Sequence, residues 1–93
     1  MMPKTVKEAA AILLSELTER DKLKLVNTKK YNLIFYHLSW GAEIRNRFGL
    51  WSGNEKLMKD ANVDHPDSAS TAIIEAVWEE LQKQGGIYDR EKS

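Results

Sequence analysis

Six polar or aromatic residues in the middle of the chain are the strongest candidates for chemistry: Arg45, Asn46, Trp51, Asn54, His65 and Asp67. Arg45 lies on a mainly apolar helix face, so its guanidinium must extend towards solvent or pair with a carboxylate. Asp67 is the predicted partner, and the pair would tie two helices together. The alternative is a pocket for a small anion, formed by Arg45, Asn54 and helix N-terminal amides. We favour the structural tie.

The remaining polar residues form no catalytic or metal-binding pattern. His37 and His65 lack the further ligands that a metal site needs, and both are interpreted as structural. Ser68 and Ser70 lie beside Asp67 within one helical turn, where side chains diverge instead of converging as a triad. The chain has no cysteine, and its glycines match no phosphate-binding loop. We therefore expect no catalytic residues, no cofactor and no metal, and we do not expect an enzyme.

Size and charge exclude further classes of protein. The 93 residues fit one domain, and 42% apolar with 30% charged residues are ordinary globular values. The net charge is zero, but residues 1–47 carry nine Lys/Arg and five Asp/Glu, and residues 48–93 carry five and nine. This balance disfavours nucleic-acid binding, which needs a clustered positive face. It favours charges that neutralise one another within the fold, or head-to-tail pairing with a second copy.

The chain shows no pattern for membrane insertion or export. Its longest apolar run, residues 9–14, is too short to cross a bilayer, and the first residues lack the features of a signal peptide. We expect no membrane association and a cytoplasmic location.

Hydrophobic periodicity predicts helices and no strand. Thr5 and Glu8 form a capping-box pattern that begins a helix ending near Leu17. Thr18 begins a short second helix, which ends at residues 27–28 because their side chains compete for backbone hydrogen bonds.

The third predicted helix, Tyr31–Phe48, has a broad apolar face. That face comprises Leu33, Ile34, His37, Leu38, Gly41, Ile44, Arg45 and Phe48, and Tyr36 and Trp40 widen it. Gly41 indicates a close helix–helix crossing. Gly49 is the expected left-handed C-cap.

The second half of the sequence predicts a turn and two helices. Leu50 and Trp51 fold inward in a tight turn, and Asn54 begins a short helix through about residue 60. Pro66 begins the last helix, and Gly85-Gly86 ends it. The prediction is a small all-α orthogonal bundle of about five helices without a sheet, in one domain over residues 1–93. Its core spans about residues 5–84, and residues 85–93 form a frayed tail. Three helices with irregular connections, or a unit completed by dimerisation, are the alternatives.

Two motifs resemble a known family. The segment I-R-N-x-F-G-L-W-x-G-N over residues 44–54, and the helix start H-P-D-x-A-S over residues 65–70, resemble a small uncharacterised bacterial helical family classed as a domain of unknown function. Further matches extend over most of residues 5–81. The resemblance implies an intracellular bacterial helical protein without an assigned activity, and it provides no catalytic residues to carry over.

Aromatic content supports a role in binding. Three Trp and three Tyr exceed what a minimal core needs, and both residue types are enriched at interfaces. We expect a non-enzymatic domain that acts through contacts with another protein or with its own copy. The alternative is a small-anion pocket around Arg45, Asn54, His65 and Asp67. Nucleic-acid binding through the lysines at positions 22, 24, 29 and 30 is the least favoured function.

Overall fold

The chain folds into a series of helices joined by short connections. The structure, a computed structural model, describes residues 2–92, with side chains described as far as Gln84. Over these residues the chain forms five α-helices, one short 3-10 helix and no strand. The elements are α1 Val6–Glu16, α2 Glu19–Val26, the 3-10 helix Lys30–Leu33, α3 Ile34–Arg47, α4 Glu55–Asp60 and α5 Pro66–Lys92. The all-α class is confirmed.

Side-chain caps begin three of these helices at the predicted residues. Oxygen atoms of Thr5, Thr18 and Asn54 each accept a hydrogen bond from the backbone N–H three residues later, at 3.0, 3.1 and 3.4 Å. These bonds satisfy donors that have no partner within the helix. Pro66 is the first residue of α5, and Gly49 adopts the left-handed conformation with a φ of 67°, both as predicted.

The end of the last helix differs from the prediction. α5 runs through Gly85-Gly86 to Lys92, so the glycine pair does not end it. Each glycine in a helix interior costs about 1 kcal/mol relative to alanine, but unlike proline it removes no hydrogen-bond donor. The predicted frayed tail comprises residues 85–93. The side chains of this segment, and the backbone of residue 93, lie outside the described part of the chain.

α5 is the central element of the bundle, because α1, α2, α3, α4 and the 3-10 helix all contact it. Its buried apolar side chains are Ala69, Ile73, Ile74, Val77 and Leu81. The other helices and the α3–α4 turn cover this stripe with Ala9, Ala10, Leu25, Leu33, Ile44, Phe48, Leu50 and Leu57. The apolar face of α5 is therefore the centre of the hydrophobic core.

Polar side chains of α5 also fasten the end of α2. Trp78 Nε1 donates to the Thr28 carbonyl at 2.7 Å, and Gln82 Nε2 donates to the Val26 carbonyl at 2.8 Å. The last carbonyls of a helix have no intrahelical donor, so these contacts satisfy groups that would otherwise need water. They connect the α2 terminus to the core helix by polar bonds as well as by packing.

An ion pair joins α1 to α3 on the surface. Both terminal nitrogens of Arg47 donate to the two carboxylate oxygens of Glu16. This hydrogen bonding lowers the pKa of Glu16 and raises the pKa of Arg47. A bidentate pair of this kind fixes the relative orientation of the two side chains.

The predicted inward face of the third helix is partly wrong. Ile44 and Phe48 are buried, but Ile34 is 52% exposed and Leu38 is 74% exposed. The chain enters α3 from the 3-10 helix, and α3 turns residues 37, 41, 44 and 48 towards the rest of the fold. Trp51 was also expected to fold inward and is 59% exposed, whereas its neighbour Leu50 is buried.

Candidate functional site

Arg45 and Asp67 form the predicted tie between α3 and α5. Arg45 Nη1 lies 3.0 Å from Asp67 Oδ1, and it also donates to Ser70 Oγ at 3.3 Å. The Arg45 side chain is 17% exposed and the Asp67 side chain 52%. Ser70 is fully buried and donates its own proton to the Asp67 carbonyl at 2.9 Å. The guanidinium is thus held by a carboxylate and a hydroxyl from the first two turns of α5.

Gly41 makes this arrangement of Arg45 sterically feasible. A Cβ atom at position 41 would lie 2.8 Å from Arg45 Nη1, and its next nearest neighbour would be His37 Nδ1 at 3.5 Å. Long helical side chains extend towards the helix N-terminus, so the guanidinium passes over the residue one turn earlier. The nearest neighbours of such a Cβ are therefore side chains of α3 itself, whereas the prediction attributed this glycine to a close helix–helix crossing. The space is taken by the arginine of the same helix.

His37 continues the polar contact between α3 and α5. Its Nδ1 lies 2.9 Å from Thr71 Oγ1. The Thr71 hydroxyl donates its proton to the Asp67 carbonyl at 3.0 Å. Because the hydroxyl proton is used on that carbonyl, Nδ1 is assigned as the donor to Thr71. His37 is a half-buried, hydrogen-bonded histidine, in agreement with its structural interpretation.

His65 and Trp51 lie at the exposed end of the same group. His65 Nδ1 accepts from the Asp67 backbone N–H at 3.1 Å and lies 3.7 Å from Asp67 Oδ2. It therefore serves as the cap of α5, and the accepting nitrogen places the proton of the neutral ring on Nε2. Trp51 meets the His65 ring edge to face, with 6.0 Å between centroids. Trp51, His65, Asp67 and Arg45 form one continuous group.

Asn54 and Asn46 do not join that group. Asn54 Nδ2 donates to the Pro3 and Phe48 carbonyls at 3.0 and 2.8 Å, so its amide faces the N-terminal segment and the end of α3. Asn46 is exposed near the end of α3, and its carbonyl accepts from Gly49 N at 3.4 Å. The structure thus connects four of the six candidates and directs the two asparagines elsewhere.

This geometry disfavours an anion pocket. Arg45 Nη1 already binds the Asp67 carboxylate and donates to the Ser70 hydroxyl. An incoming anion would therefore have to displace a carboxylate. Arg45 Nε is buried without a hydrogen-bond partner among the described residues. The neighbouring cavity of about 370 Å³, beside Trp51 and Asn54, carries the carboxylates of Glu55 and Asp64 and only one lysine.

Metal and membrane sites are not found in the described part of the chain. No group of three or more His, Cys, Asp or Glu among the described residues is placed to hold a metal ion. None of the helices, over the residues described, combines the length and the apolar composition needed to cross a bilayer.

The most distinctive surface feature was predicted only in part, because an interface role was expected for surplus aromatic residues but Ile34 and Leu38 were expected on the buried face. Four large apolar side chains on the 3-10 helix and α3 are more than half exposed, namely Tyr31 73%, Ile34 52%, Phe35 66% and Leu38 74%. They occupy positions i, i+3, i+4 and i+7, which share one helix face, and the exposed Ala42 continues it. We call these five residues the exposed stripe. The sequence carries a signal for this stripe, because residues 31, 34, 35, 38 and 42 form a second apolar periodicity. The first periodicity, at positions 33, 37, 41, 44 and 48, belongs to the face that is turned towards the core.

Comparison with known proteins identifies a family. A family model described as "Domain of unknown function (DUF6794)" matches residues 2–81. The matched region contains both motif segments, residues 44–54 and 65–70, and ends within α5. No curated protein and no solved structure matches the chain.

Proposed function

The chain belongs to the DUF6794 family, a domain of unknown function, and from its surface we propose a non-enzymatic interaction domain that self-associates through the exposed stripe. A bacterial origin, which the motif resemblance implies, and the expected cytoplasmic location belong to the same proposal. The observation that carries it is the exposure of four large apolar side chains on a single helix face.

The stripe is larger than the scattered apolar residues of an ordinary surface. At 73% and 66% exposure, Tyr31 and Phe35 alone present roughly 200–350 Å², taking about 150–250 Å² for a whole aromatic side chain. Ile34 and Leu38 add to this area. Contiguous apolar patches of several hundred Å² mark interaction surfaces in soluble proteins. The centre of the stripe is thus suited to burial against a partner.

A second copy of the chain is the occupant that these features favour. The net charge is zero, so two copies approach without net electrostatic repulsion. The stripe runs along one helix, and a two-fold axis through its centre would cover each stripe with the other. Its area is below the roughly 800 Å² per partner of a standard interface, so we expect a weak dimer that depends on concentration.

Sedimentation equilibrium over a range of concentrations tests this proposal. We expect the average mass of the wild type to rise towards that of a dimer, and Leu38→Ser to remain a monomer. Leu23→Ser is the matched control, because Leu23 is a 41% exposed leucine outside the stripe, and it should dimerise like the wild type.

Two results would overturn the proposal. One is a wild-type protein that stays monomeric at every concentration. The other is a monomeric protein that sediments with anionic lipid vesicles in a manner abolished by Leu38→Ser, because the stripe would then contact a membrane surface.

A further inference from the structure

We propose that the cavity beside Trp51 binds an organic cation, an ammonium group carried on a short aliphatic chain. The cavity has a volume of about 370 Å³ and lies between the turn after α3, helix α4 and the segment that leads into α5. Small-ligand sites occupy about 300–1,000 Å³, so this volume admits a small molecule or one long side chain. No residue of the exposed stripe lines the cavity, so the site is separate from the proposed self-association.

The walls of the cavity are largely apolar. They are formed by Leu50, Trp51, Met58, Val63 and Pro66. Leu50 belongs to the buried core, and Met58, Val63 and Pro66 are half-buried. The aliphatic chain of a ligand would leave water for surfaces of its own polarity here, which favours binding.

Trp51 is the wall that is most open to solvent. The residue is 59% exposed, and its ring meets that of His65 edge to face. The turn that carries it has two positive φ values, 67° at Gly49 and 95° at Gly53, and Asn54 N donates to the Gly49 carbonyl at 3.0 Å. Glycine adopts such φ values without steric cost. A tight, hydrogen-bonded turn thus holds a large aromatic ring at the surface, where it adds little to the core.

The charges around the cavity are mainly negative. Glu55 and Asp64 contribute two carboxylates, and Lys59 contributes a single positive charge. In the part of the chain that the structure describes, neither carboxylate forms an ion pair or a hydrogen bond, and Lys59 forms no ion pair. Both carboxylates are therefore available to a cation that enters the cavity.

An ammonium group on an aliphatic chain matches the indole ring, the carboxylates and the apolar walls together. A cation is attracted to the face of an aromatic ring, and Trp binds cations best among the aromatic residues. The carboxylates attract the same charge and repel an anion. A bare metal ion does not fit, since no group of three or more His, Cys, Asp or Glu among the described residues is placed to hold one.

Titration with a matched series of small ligands, followed by heteronuclear NMR, tests the site. The ligands are butylammonium, butanol and butyrate, which have aliphatic chains of similar length and differ in charge. We expect butylammonium to shift the Trp51 indole N–H signal, and the backbone signals of Met58 and Val63, in a saturable manner with millimolar affinity. Butanol and butyrate should bind at least about tenfold more weakly, because they lack the positive charge.

Variants of the lining residues should change the affinity in opposite directions. Asp64→Asn and Glu55→Gln should each weaken butylammonium binding about threefold, and Lys59→Gln should strengthen it about twofold, because each removes one exposed charge. Trp51→Leu keeps an apolar wall but removes the indole, and it should weaken binding about two- to fivefold. Its missing indole signal also identifies that of Trp51 in the wild type. Glu79→Gln, on α5 and outside the cavity lining, is the matched control and should bind like the wild type.

A blocked lysine separates two sources of the same chemistry. N-acetyl-lysine-N-methylamide presents the ammonium group as a peptide would, and butylammonium presents it as a free amine. Equal affinities would assign the site to a lysine side chain of a protein partner, because the attached backbone is then tolerated. Binding of butylammonium alone would assign it to free amines.

Three results would contradict the cation site. The first is the absence of saturable shifts with butylammonium at every concentration that leaves the fold intact. The second is butanol or butyrate binding as tightly as butylammonium. The third is an affinity that stays the same in all three charge variants. Leu38→Ser, which should dissociate the proposed dimer, should bind butylammonium like the wild type, so the cation site and the self-association can fail independently.

Discussion

The missing Cβ of Gly41 leaves the space that Nη1 of Arg45 occupies, since a Cβ there would be only 2.8 Å from that nitrogen. Position 41 and position 45 are one helical turn apart, so the constraint arises within α3. The resulting guanidinium position is the one that reaches Asp67 at 3.0 Å. A helix-weakening residue is therefore linked to an ion pair between two helices.

Arg45→Ala should destabilise the fold by about 2 kcal/mol, which corresponds to a fall in Tm of about 10 °C for a domain of this size. The effect is below that of a fully buried pair, because Asp67 is half exposed and its carboxylate stays partly hydrated. Thermal melts followed by circular dichroism measure the change. A Tm equal to that of the wild type would show that the pair does not stabilise the fold.

Gly41→Ala should have opposite signs in two backgrounds. In the wild type we expect a loss of about 1 kcal/mol, because the added methyl group displaces the guanidinium from Asp67 and Ser70. In the Arg45→Ala background the same change should stabilise the fold by about 1 kcal/mol, through the higher helix propensity of alanine. Urea unfolding of the four proteins gives the coupling energy. Equal effects in both backgrounds would contradict the steric link.

Trp78→Phe should cost about 1–2 kcal/mol, because it removes the indole N–H that donates to the half-buried Thr28 carbonyl. The matched control is Trp51→Phe at a 59% exposed position, which should stay within about 0.5 kcal/mol of the wild type. Chemical unfolding monitored by far-ultraviolet circular dichroism provides both values. A loss from Trp51→Phe as large as that from Trp78→Phe would contradict the assignment.

Glu16→Gln should remove part of the acid sensitivity of the fold. The pKa of Glu16 is lowered from its ordinary value of 4.5 by its hydrogen bonds to Arg47, so the folded state releases this proton more readily than the unfolded state. The stability that this lowered pKa gives the folded state is fully present above pH 4.5. It is lost as the pH falls through the lower pKa that Glu16 has in the folded state. Urea midpoints measured across this range should vary less with pH in Glu16→Gln than in the wild type. Glu79→Gln, on the exposed side of α5, should retain the wild-type dependence.

Helix boundaries that depend on neighbouring residues could be predicted from the sequence. Thr5, Thr18, Asn54 and Pro66 act within one turn of their own positions, and Gly49 adopts the left-handed φ of a helix C-cap without steric cost. The signals are local, and so is the structure that they determine. The Arg45–Asp67 tie also followed from chemistry, since a guanidinium on an apolar face needs a partner.

Exposure of apolar residues could not be predicted in this way. Periodicity places Ile34 and Leu38 on a helix face, but only the position of α5 decides which face is covered. Leu50 and Trp51 are neighbours of similar hydrophobicity, and the turn buries one and exposes the other. The alternative hypothesis placed Asn54 at an anion pocket, but its amide faces the Pro3 carbonyl, a contact across 51 positions of sequence that no local pattern encodes.

The position of α5 as the shared partner of the other helices affects the order in which the chain can fold during synthesis. α1 is made first, but its buried alanines pack on α5, which is made last. At about 5–20 residues per second, the roughly 65 residues between the end of α1 and Leu81 take on the order of 3–13 s to translate. Over that interval, the apolar faces of the first helices have no native surface to cover them. We therefore expect the nascent chain to expose these apolar faces until α5 has left the ribosome.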